Sequence, residues 1–406
     1  MRDGWVDATL GDLISYSIGG IWGDDPGNSE IDVPVYRQTE FNDSGRLTTP
    51  ADAFRSITES QLKSRTLLYG DILIQKSAGT PTLPGRVVMV PDLKNEVATF
   101  SNFLNLLRPD QTKCIPRFAF LYFWFKHQAG RAYEFQRGTN IKNLDLPNYL
   151  EETIFLPPLH EQKRIVDLIS SVDSYIEALQ QQLDSAKKSR NAVLHELLTA
   201  GGDDWEYKTL SDICEVRDGT HDSPKPSHEG FALVTSKNIK DGKLDLESAY
   251  LISPQDYIEI NKRSKVEQFN LLISMIGTIG EVIVIEDKPN FAIKNVGLLK
   301  STEPILSRYL CHYLGSQLGK NAISLSVSGS TQKFISLGKL RGLPVLYPPR
   351  ENQKAIVEAM SLFDQQISKN LEVAARIKNL RSSMLSDLLS GEHQIPSSYD
   401  KVMGAA

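Results

Sequence analysis

Two long stretches of the chain carry apolar residues at alternating spacings of four and three. A 3.5-residue spacing sustained over many turns is typical of a coiled-coil seam, whereas an ordinary amphipathic surface helix usually keeps its pattern for fewer turns. Pro157 and Pro348 stand just before the two stretches, and Gly201 and Gly391 follow them, as expected at helix starts and ends. The pattern therefore predicts two long helices, each the simplest partner for the other, paired in antiparallel fashion. The predicted seam residues are Ile165, Ile169, Val172, Ile176, Leu179 and Leu183 in the first helix, and Ile356, Met360, Phe363, Ile367 and Ile377 in the second.

Three polar residues, Arg190, Asn370 and Arg381, interrupt the apolar spacing. An asparagine opposite an otherwise apolar layer costs stability but fixes the register of the helices. Arg190 and Arg381 occupy the same repeat position near the C-terminal turns, where a cation suits the helix dipole. The sequence leaves open whether these arginines cap the helices or contact DNA or a partner.

The segments that precede the two helices mix short β-rich runs with turns. Residues 86–90 and 281–285 are examples, and helical stretches follow at 117–127 and 307–317. Each segment is therefore predicted to be an α+β domain with a strongly bent sheet. The predicted organisation is a globular domain at 1–156, a spacer helix at 157–202, a second globular domain at 203–347, a second spacer helix at 348–391 and a polar tail at 392–406.

The chain repeats itself once along its length. Residues 5–13 resemble residues 205–213, and residues 157–166 resemble residues 348–357, at offsets of 200 and 191 positions. The shrinking offset indicates loop-sized deletions between two copies, and a solenoid would need several short repeats instead. Two similar domains joined by two similar antiparallel helices must be related by a pseudo-twofold axis.

Composition and charge exclude several classes of protein. The chain has 406 residues, too many for one ordinary core, and no apolar run reaches the ~18 residues of a membrane span. Three cysteines provide neither a disulfide framework nor a CxxC metal pair, and the first residues lack the apolar core of a signal peptide. We therefore expect a cytoplasmic protein that has no contact with a membrane. The net charge of −5 excludes a globally basic coat but allows a local basic face.

Motifs that carry chemistry are missing from the sequence. The chain has no GxxxxGK[ST], no GxGxxG after a strand, no HExxH and no GxSxG, and its Pro-Pro pairs lack the polar residue of an amino-methyltransferase motif. His221, His228 and Asp222 share one loop, but such residues are more often polar loop residues than metal ligands. The sequence therefore predicts neither a catalytic site nor a metal site.

Small clusters of basic and polar residues occur in both globular segments. In the second they are Lys225, Lys237 and Lys240, with Ser236 and Asn238 between them. Alone, such a cluster is usually a solvated loop, although these residue types also pair with base edges in the major groove. Two similar but not identical domains with twofold symmetry would suit a bipartite, non-palindromic DNA target. In the first segment, the residues at the matching position are Arg37, Gln38 and Thr39.

Several motifs recur in a fixed order along the chain. The helix openings at 156–166 and 347–357 and the helix closings at 195–201 and 387–391 come in matching pairs, and the second domain adds the stretches 217–224, 235–239, 275–280 and 328–333. In this order the whole chain resembles the specificity (S) subunit of a type I restriction–modification system. The resemblance implies two target recognition domains joined by the paired helices. Together with the clusters above, the expected DNA-contacting residues are Arg37, Gln38, Thr39, Lys76, Thr220, His221, Lys225, Ser236, Lys237, Asn238, Lys240, Thr331, Gln332 and Lys333.

The same resemblance implies a DNA-reading subunit without chemistry of its own. Its expected partners are double-stranded DNA, two methyltransferase (M) subunits docked on the paired helices, and restriction (R) subunits that translocate and cut DNA. S-adenosylmethionine, ATP and Mg²⁺ would then belong to those partners and not to this chain. The first domain departs from the pattern, because residues 137–142 replace the Gly-Ser-Thr-Gln-Lys stretch of the second.

Two alternatives belong to other classes of function. A coiled-coil scaffold that binds only proteins would show no salt-dependent retention on DNA, whereas phosphate contacts predict a steep salt dependence. A small nuclease would nick DNA unaided in the presence of Mg²⁺.

Overall fold

The computed structural model describes residues 4–94, 96–202, 204–329, 333–396 and 398–399. The chain divides into two compact units. Unit 1 comprises residues 1–178 and 374–406, and unit 2 comprises residues 179–373. No helix among the described residues is both long enough and apolar enough to cross a membrane.

Unit 1 is an α+β unit whose largest sheet has four antiparallel strands in the order β2-β9-β5-β7. Its strands are β1 (Val6–Thr9), β2 (Ile14–Gly19), β3 (Ile31–Tyr36), β4 (Ala53–Ile57), β5 (Ile72–Gln75), β6 (Ser77–Ala78), β7 (Val87–Met89), β8 (Thr99–Phe100), β9 (Leu104–Pro109), β10 (Gln136–Arg137), β11 (Lys142–Leu144) and β12 (Thr153–Leu156). Its helices are α1 (Glu59–Arg65), α2 (Pro116–Gln128), α3 (Leu146–Leu150) and the first part of α4 (Leu159–Thr199). The apolar helix α2 supplies six consecutive buried residues to the core, which also takes in Ile395 from the segment predicted to be a polar tail.

Unit 2 repeats this architecture with four antiparallel strands in the order β14-β22-β19-β20. Its strands are β13 (Glu206–Thr209), β14 (Glu215–Asp218), β15 (Phe231–Val234), β16 (Ile239–Lys240), β17 (Lys243–Leu244), β18 (Leu251–Ile252), β19 (Leu271–Ser274), β20 (Val282–Val284), β21 (Ala292–Ile293), β22 (Val296–Lys300) and β23 (Pro344–Tyr347). Its helices are α5 (Leu210–Ile213), α6 (Pro254–Ser264), α7 (Pro304–Gly315), α8 (Gln317–Ser326), α9 (Leu337–Arg341) and the first part of α10 (Arg350–Leu389).

The duplication seen in the sequence extends to the pairing of strands. A two-stranded antiparallel ribbon, β1-β12 or β13-β23, leads into each long helix. A three-stranded sheet, β4-β3-β8 or β18-β15-β21, has its second pair parallel in both units, β3 with β8 and β15 with β21. Equivalent strands therefore bring equivalent loops to the same sheet edge.

The repeated glutamine of the two helix openings has a structural role. Gln162 is buried, accepts a hydrogen bond from the Ile115 N–H and donates to the Pro157 carbonyl at 2.9 Å. Gln353 is also buried and donates to the Pro348 carbonyl at 2.9 Å. These bonds pair buried polar groups at the point where each helix leaves its ribbon.

None of the eleven predicted seam residues is exposed. α4 and α10 pack together in antiparallel fashion: the start of α4 lies with the end of α10 in unit 1, and the reverse holds in unit 2. The buried seam residues are Ile165, Ile169, Leu179, Leu183, Ile356 and Met360. The partly buried seam residues are Val172, Ile176, Phe363, Ile367 and Ile377.

The two arginines that interrupt the seam form ion pairs between the helices. In unit 1, Arg381 binds Asp173, with Nη2 and Oδ2 3.1 Å apart, and Arg117 of α2 binds the same carboxylate at 2.8 Å. In unit 2, Arg190 binds Asp364, with Nε and Oδ1 2.5 Å apart. The sequence alone did not identify these acidic partners.

Two residues beside these ion pairs, Arg117 and His312, have lowered pKa values. Burial is the main cause that lowers the pKa of Arg117, and burial followed by repulsion from Arg190 lowers the pKa of His312 to about 4. Asn370 accepts a hydrogen bond from Gln366 one turn earlier in its own helix, at 2.8 Å.

Candidate nucleic-acid interface

A cleft of about 740 Å³ lies in unit 2 beside the carboxyl ends of two parallel strands. One wall is the 3-10 turn Ser236–Asn238 after β15, and another is Lys294 and Asn295 after β21. Because parallel strands end at the same edge, two segments nearly sixty residues apart in sequence meet there. The lining residues are Thr235, Ser236, Lys237, Asn238, Ser248, Ala249, Tyr250, Ile276, Gly277, Thr278, Lys294 and Asn295.

Asn238 holds the 3-10 turn together from within. Its side chain is 5% exposed, and its Oδ1 accepts hydrogen bonds from the backbone N–H and the hydroxyl of Thr235, both at 2.9 Å. Its Nδ2 donates to the hydroxyl of Ser248 at 3.1 Å. The amide is thus engaged at both ends by the protein, and the geometry assigns Asn238 to shaping the turn.

The lysines of this region are exposed, in contrast to the buried Asn238. Lys225, Lys237 and Lys240 are exposed, and Lys237 stands on the cleft wall. Ser236 is buried, and its hydroxyl donates to the backbone carbonyl of Asn295 at 3.3 Å. Exposed cations beside a cleft are available to a polyanionic ligand, whereas the Ser236 hydroxyl ties together the two cleft walls.

Thr220 and His221 follow β14 and come close to the same cleft. The N–H of Thr220 donates to the carbonyl of Ile293 at 3.0 Å, and His221 Nδ1 lies 2.8 Å from Asn295 Oδ1. A Cβ atom on the preceding Gly219 would lie 2.4 Å from the Ile293 oxygen, so only glycine allows this approach. This contact brings the loop 219–223 to the cleft.

Unit 1 builds the matching turn with different side chains. Residues Gln38–Glu40 form a 3-10 turn after β3, and Glu40 takes the role of Asn238. The N–H of Arg37 donates to Glu40 Oε2 at 2.6 Å, and its guanidinium lies 2.9 Å from Oε1. Thr39 is exposed, while the Gln38 Oε1 atom is buried without a partner among the described residues. Burial is the first cause that raises the pKa of neighbouring Tyr36 to about 12.

Lys76 lies between β5 and β6, and its backbone bonds to the segment before β9 and to the hairpin β10-β11. Lys76 is half-buried; its N–H donates to the Phe103 carbonyl, and its carbonyl accepts from the Leu144 N–H, both at 2.8 Å. The hairpin β10-β11 contains residues 137–142 and turns at Gly138, with a φ of 99°. This hairpin is the counterpart of residues 328–334.

In unit 2 the counterpart turns at Gly329, with a φ of 97°, and closes through bridges between Ser328 and Phe334. Lys333 is exposed on it. Thr331 and Gln332, which the resemblance identifies as DNA-contacting, lie outside the described residues.

The structure does not gather the loop histidines into a metal site. Within the described ranges, no group of three or more His, Cys, Asp and Glu side chains is arranged to hold a metal ion. His221 instead contacts Asp218, with 3.0 Å between Nε2 and Oδ2.

Sequence reasoning missed Lys294 and Asn295, although both line the cleft. They follow a two-residue strand far from the 217–224 and 235–239 stretches, so no local cluster marked them. The only available signal was indirect: two strands that end at one edge would have to run parallel, and the sequence did not establish that pairing.

Comparison with known proteins gives a consistent result. The family model described as type I restriction modification DNA specificity domain matches residues 2–188 and again residues 202–378. The chain is 26% identical over 360 residues to the EcoKI type I restriction enzyme specificity subunit of Escherichia coli K12, covering 81% of this chain and 76% of that protein. It is 23% identical over 282 residues to the MjaVIII specificity subunit of Methanocaldococcus jannaschii, covering 64% and 66%.

Two solved structures share the fold. The type I restriction–modification S subunit from M. genitalium aligns with a TM-score of 0.52 at 16% identity, covering 96% of this chain and 97% of that one. A chain from a study of complex assembly and conformational transition of the type I R-M system aligns with a TM-score of 0.59 at 18% identity, covering 97% and 99%.

Proposed function

The chain belongs to the type I restriction-modification DNA specificity family, and we propose that it reads a bipartite, asymmetric DNA target and directs methyltransferase and restriction subunits to it. The observation that supports this proposal is that the two units form equivalent 3-10 turns from different side chains. Glu40 and Asn238 close the same 3-10 turn, while Thr39 and Lys237 occupy its exposed middle position. Equivalent scaffolds with unlike exposed residues suit two half-sites of different sequence.

The chain's role in the complex is proposed to be non-catalytic. Among the described residues, no group of His, Cys, Asp and Glu side chains is arranged to hold a metal ion, and the sequence has no glycine-rich cofactor-binding motif. S-adenosylmethionine, ATP and Mg²⁺ are accordingly proposed to bind the partner subunits, in a cytoplasmic complex of two M subunits with R subunits. A protein with the same fold comes from a type I R-M system whose subunits assemble into a complex, which supports such partners. Methyl transfer from S-adenosylmethionine to DNA by the purified chain alone would contradict this assignment.

The proposed function is tested by selecting duplexes from a random-sequence DNA library with the full chain. We expect enrichment of two short, unlike sequences separated by a fixed spacer. Binding to the enriched duplex should weaken steeply with salt, because each neutralised phosphate adds roughly −0.9 to the slope of log K against log salt. A protein-binding scaffold would enrich no sequence, and nicking of the duplex in Mg²⁺ would instead indicate a nuclease.

The two neighbouring residues Lys237 and Asn238 should respond differently to alanine substitution. Lys237→Ala should leave the thermal unfolding midpoint unchanged and weaken binding to one half-site, since its side chain is exposed on the cleft wall. Asn238→Ala should lower the free energy of unfolding by about 1 kcal/mol, because it removes the side-chain acceptor of the turn.

Thermal unfolding and binding to the enriched duplex measure both effects. Thr39→Ala, at the matching exposed position of unit 1, is the control and should affect the other half-site. Equal loss by Lys237→Ala on every duplex sequence would make Lys237 a phosphate contact instead of a specificity residue.

A further inference from the structure

A chain of polar contacts joins the loop after β14 to the cleft of unit 2. It begins at Asp218, whose side chain is 5% exposed and whose carboxylate binds Arg263 of α6 through Oδ1. The other oxygen, Oδ2, lies 3.0 Å from His221 Nε2. The opposite ring nitrogen, Nδ1, lies 2.8 Å from Oδ1 of Asn295, which lines the cleft.

Both nitrogens of His221 face oxygen atoms. Nε2 faces the Asp218 carboxylate and Nδ1 faces the side-chain oxygen of Asn295. The ring therefore bridges the two side chains, and its contact with Oδ1 leaves the Nδ2 end of the Asn295 amide directed away from the ring.

The charged groups around the ring balance one another. Besides Asp218, the nearby charged groups are Arg263, which is paired with Asp218, Lys294, whose ammonium binds the Ser223 hydroxyl, and Asp222, the next residue in the loop. Asp218 and Asp222 are balanced by Arg263 and Lys294, and Asp218 is the carboxylate in direct contact with the ring.

Asn295 is held so that one end of its amide is free. Its backbone has a φ of 52°, a left-handed conformation that asparagine tolerates better than most residues. Its backbone carbonyl accepts a hydrogen bond from the Ser236 hydroxyl, and its side-chain Oδ1 lies 2.8 Å from His221 Nδ1. Its Nδ2 group has no hydrogen-bond partner among the described residues, and two N–H donors are therefore available at the cleft.

Resting on the proposed function, we propose that Asn295 is a base-reading residue of the second half-site, and that His221, held by Asp218, positions its amide with the N–H donors toward DNA. Donors of this kind match base edges that carry only acceptors in the major groove. These are the keto bases, guanine with N7 and O6 and thymine with O4, whereas adenine and cytosine present an amino donor.

Unit 1 provides the internal control because it lacks this arrangement. The N–H of Ile21 donates to the Phe100 carbonyl at 2.9 Å, just as Thr220 donates to Ile293, so Trp22 occupies the position of His221. Trp22 packs under the guanidinium of Arg55, 4.9 Å from its ring centroid. The first half-site should therefore be unaffected by substitutions of His221 or Asn295.

The test selects duplexes from a random-sequence library with the full chain and its variants. The wild type should select a keto base at one position of one half-site. Asn295→Gly, which suits a positive φ, should lose preference there and about tenfold in affinity. Asn295→Asp presents only acceptors and should select an amino base at that position.

The positioning role of His221 is separated from a structural one by a double variant. His221→Ala should reduce the preference for a keto base at that position, and His221→Ala with Asn295→Gly should bind no more weakly than Asn295→Gly alone. Asn102→Ala, in the matching loop of unit 1, is the control and should leave the second half-site unchanged.

The outcomes distinguish this inference from the function on which it rests. A wild type that enriches no sequence would overturn the proposed function. A wild type that enriches a bipartite sequence, with the same base choice in the Asn295→Gly and Asn295→Asp variants, would overturn the role of Asn295 alone.

Discussion

Replacing Asp173 by alanine is expected to lower the free energy of unfolding of unit 1 by about 3 kcal/mol or more. The Asp173 side chain is 16% exposed and binds two guanidiniums, Arg117 and Arg381, whose side chains are 21% and 14% exposed. Removal of the carboxylate leaves both cations largely buried and unpaired, the situation in which a broken ion pair costs about 3–5 kcal/mol. Urea unfolding of the full chain measures the loss.

The matching residue of unit 2 supplies the control. Asp364 occupies the equivalent position but is 46% exposed and binds one guanidinium, Arg190. Asp364→Ala should therefore cost about 1 kcal/mol or less, as exposed ion pairs generally do. Equal losses for the two variants would show that burial does not set the strength of these pairs.

Inserting seven residues into each long helix, after Leu179 and after Asn370, is expected to lengthen the spacer of the DNA target. Seven residues preserve the 3.5-residue seam and add about 10 Å at ~1.5 Å per residue. This corresponds to about three base pairs at ~3.4 Å each. Sequencing of methylated sites in cells that carry the variant and its partner subunits should show both half-sites unchanged and three further base pairs between them.

A two-residue insertion at the same positions is the control. It rotates the apolar stripe away from its partner and should destabilise the protein without producing a new spacer. Altered half-sites with the original spacer in the seven-residue variant would mean that the helices do not set the distance.

The long helices were predictable because their signal is local and repeated. Residues such as Ile165 and Met360 lie on one stripe of one helix, and the periodicity of each helix alone is enough to identify the buried face. The partners of Arg190 and Arg381 were not predictable in the same way. An exposed-looking acidic residue such as Asp173 or Asp364 has no periodic signature, and its pairing follows from the antiparallel register.

The candidate cleft was only partly predictable for a related reason. Motif resemblance led to Lys237 and His221, which lie at the cleft and beside it. It also selected Asn238, whose side chain is instead engaged within the turn, and it missed Asn295. A polar residue type does not reveal whether its hydrogen bonds are made inside the protein, because that depends on neighbours brought in by strand pairing.

The reciprocal placement of the two ion pairs bears on the ancestry of the chain. Each long helix carries both an aspartate and an arginine at matching repeat positions, Asp173 with Arg190 and Asp364 with Arg381. A helix with both partners is complementary to an antiparallel copy of itself, so one repeat could form a closed twofold dimer held by two identical bridges. Fusion of two such genes would keep both bridges and allow the loops of the two repeats to change independently.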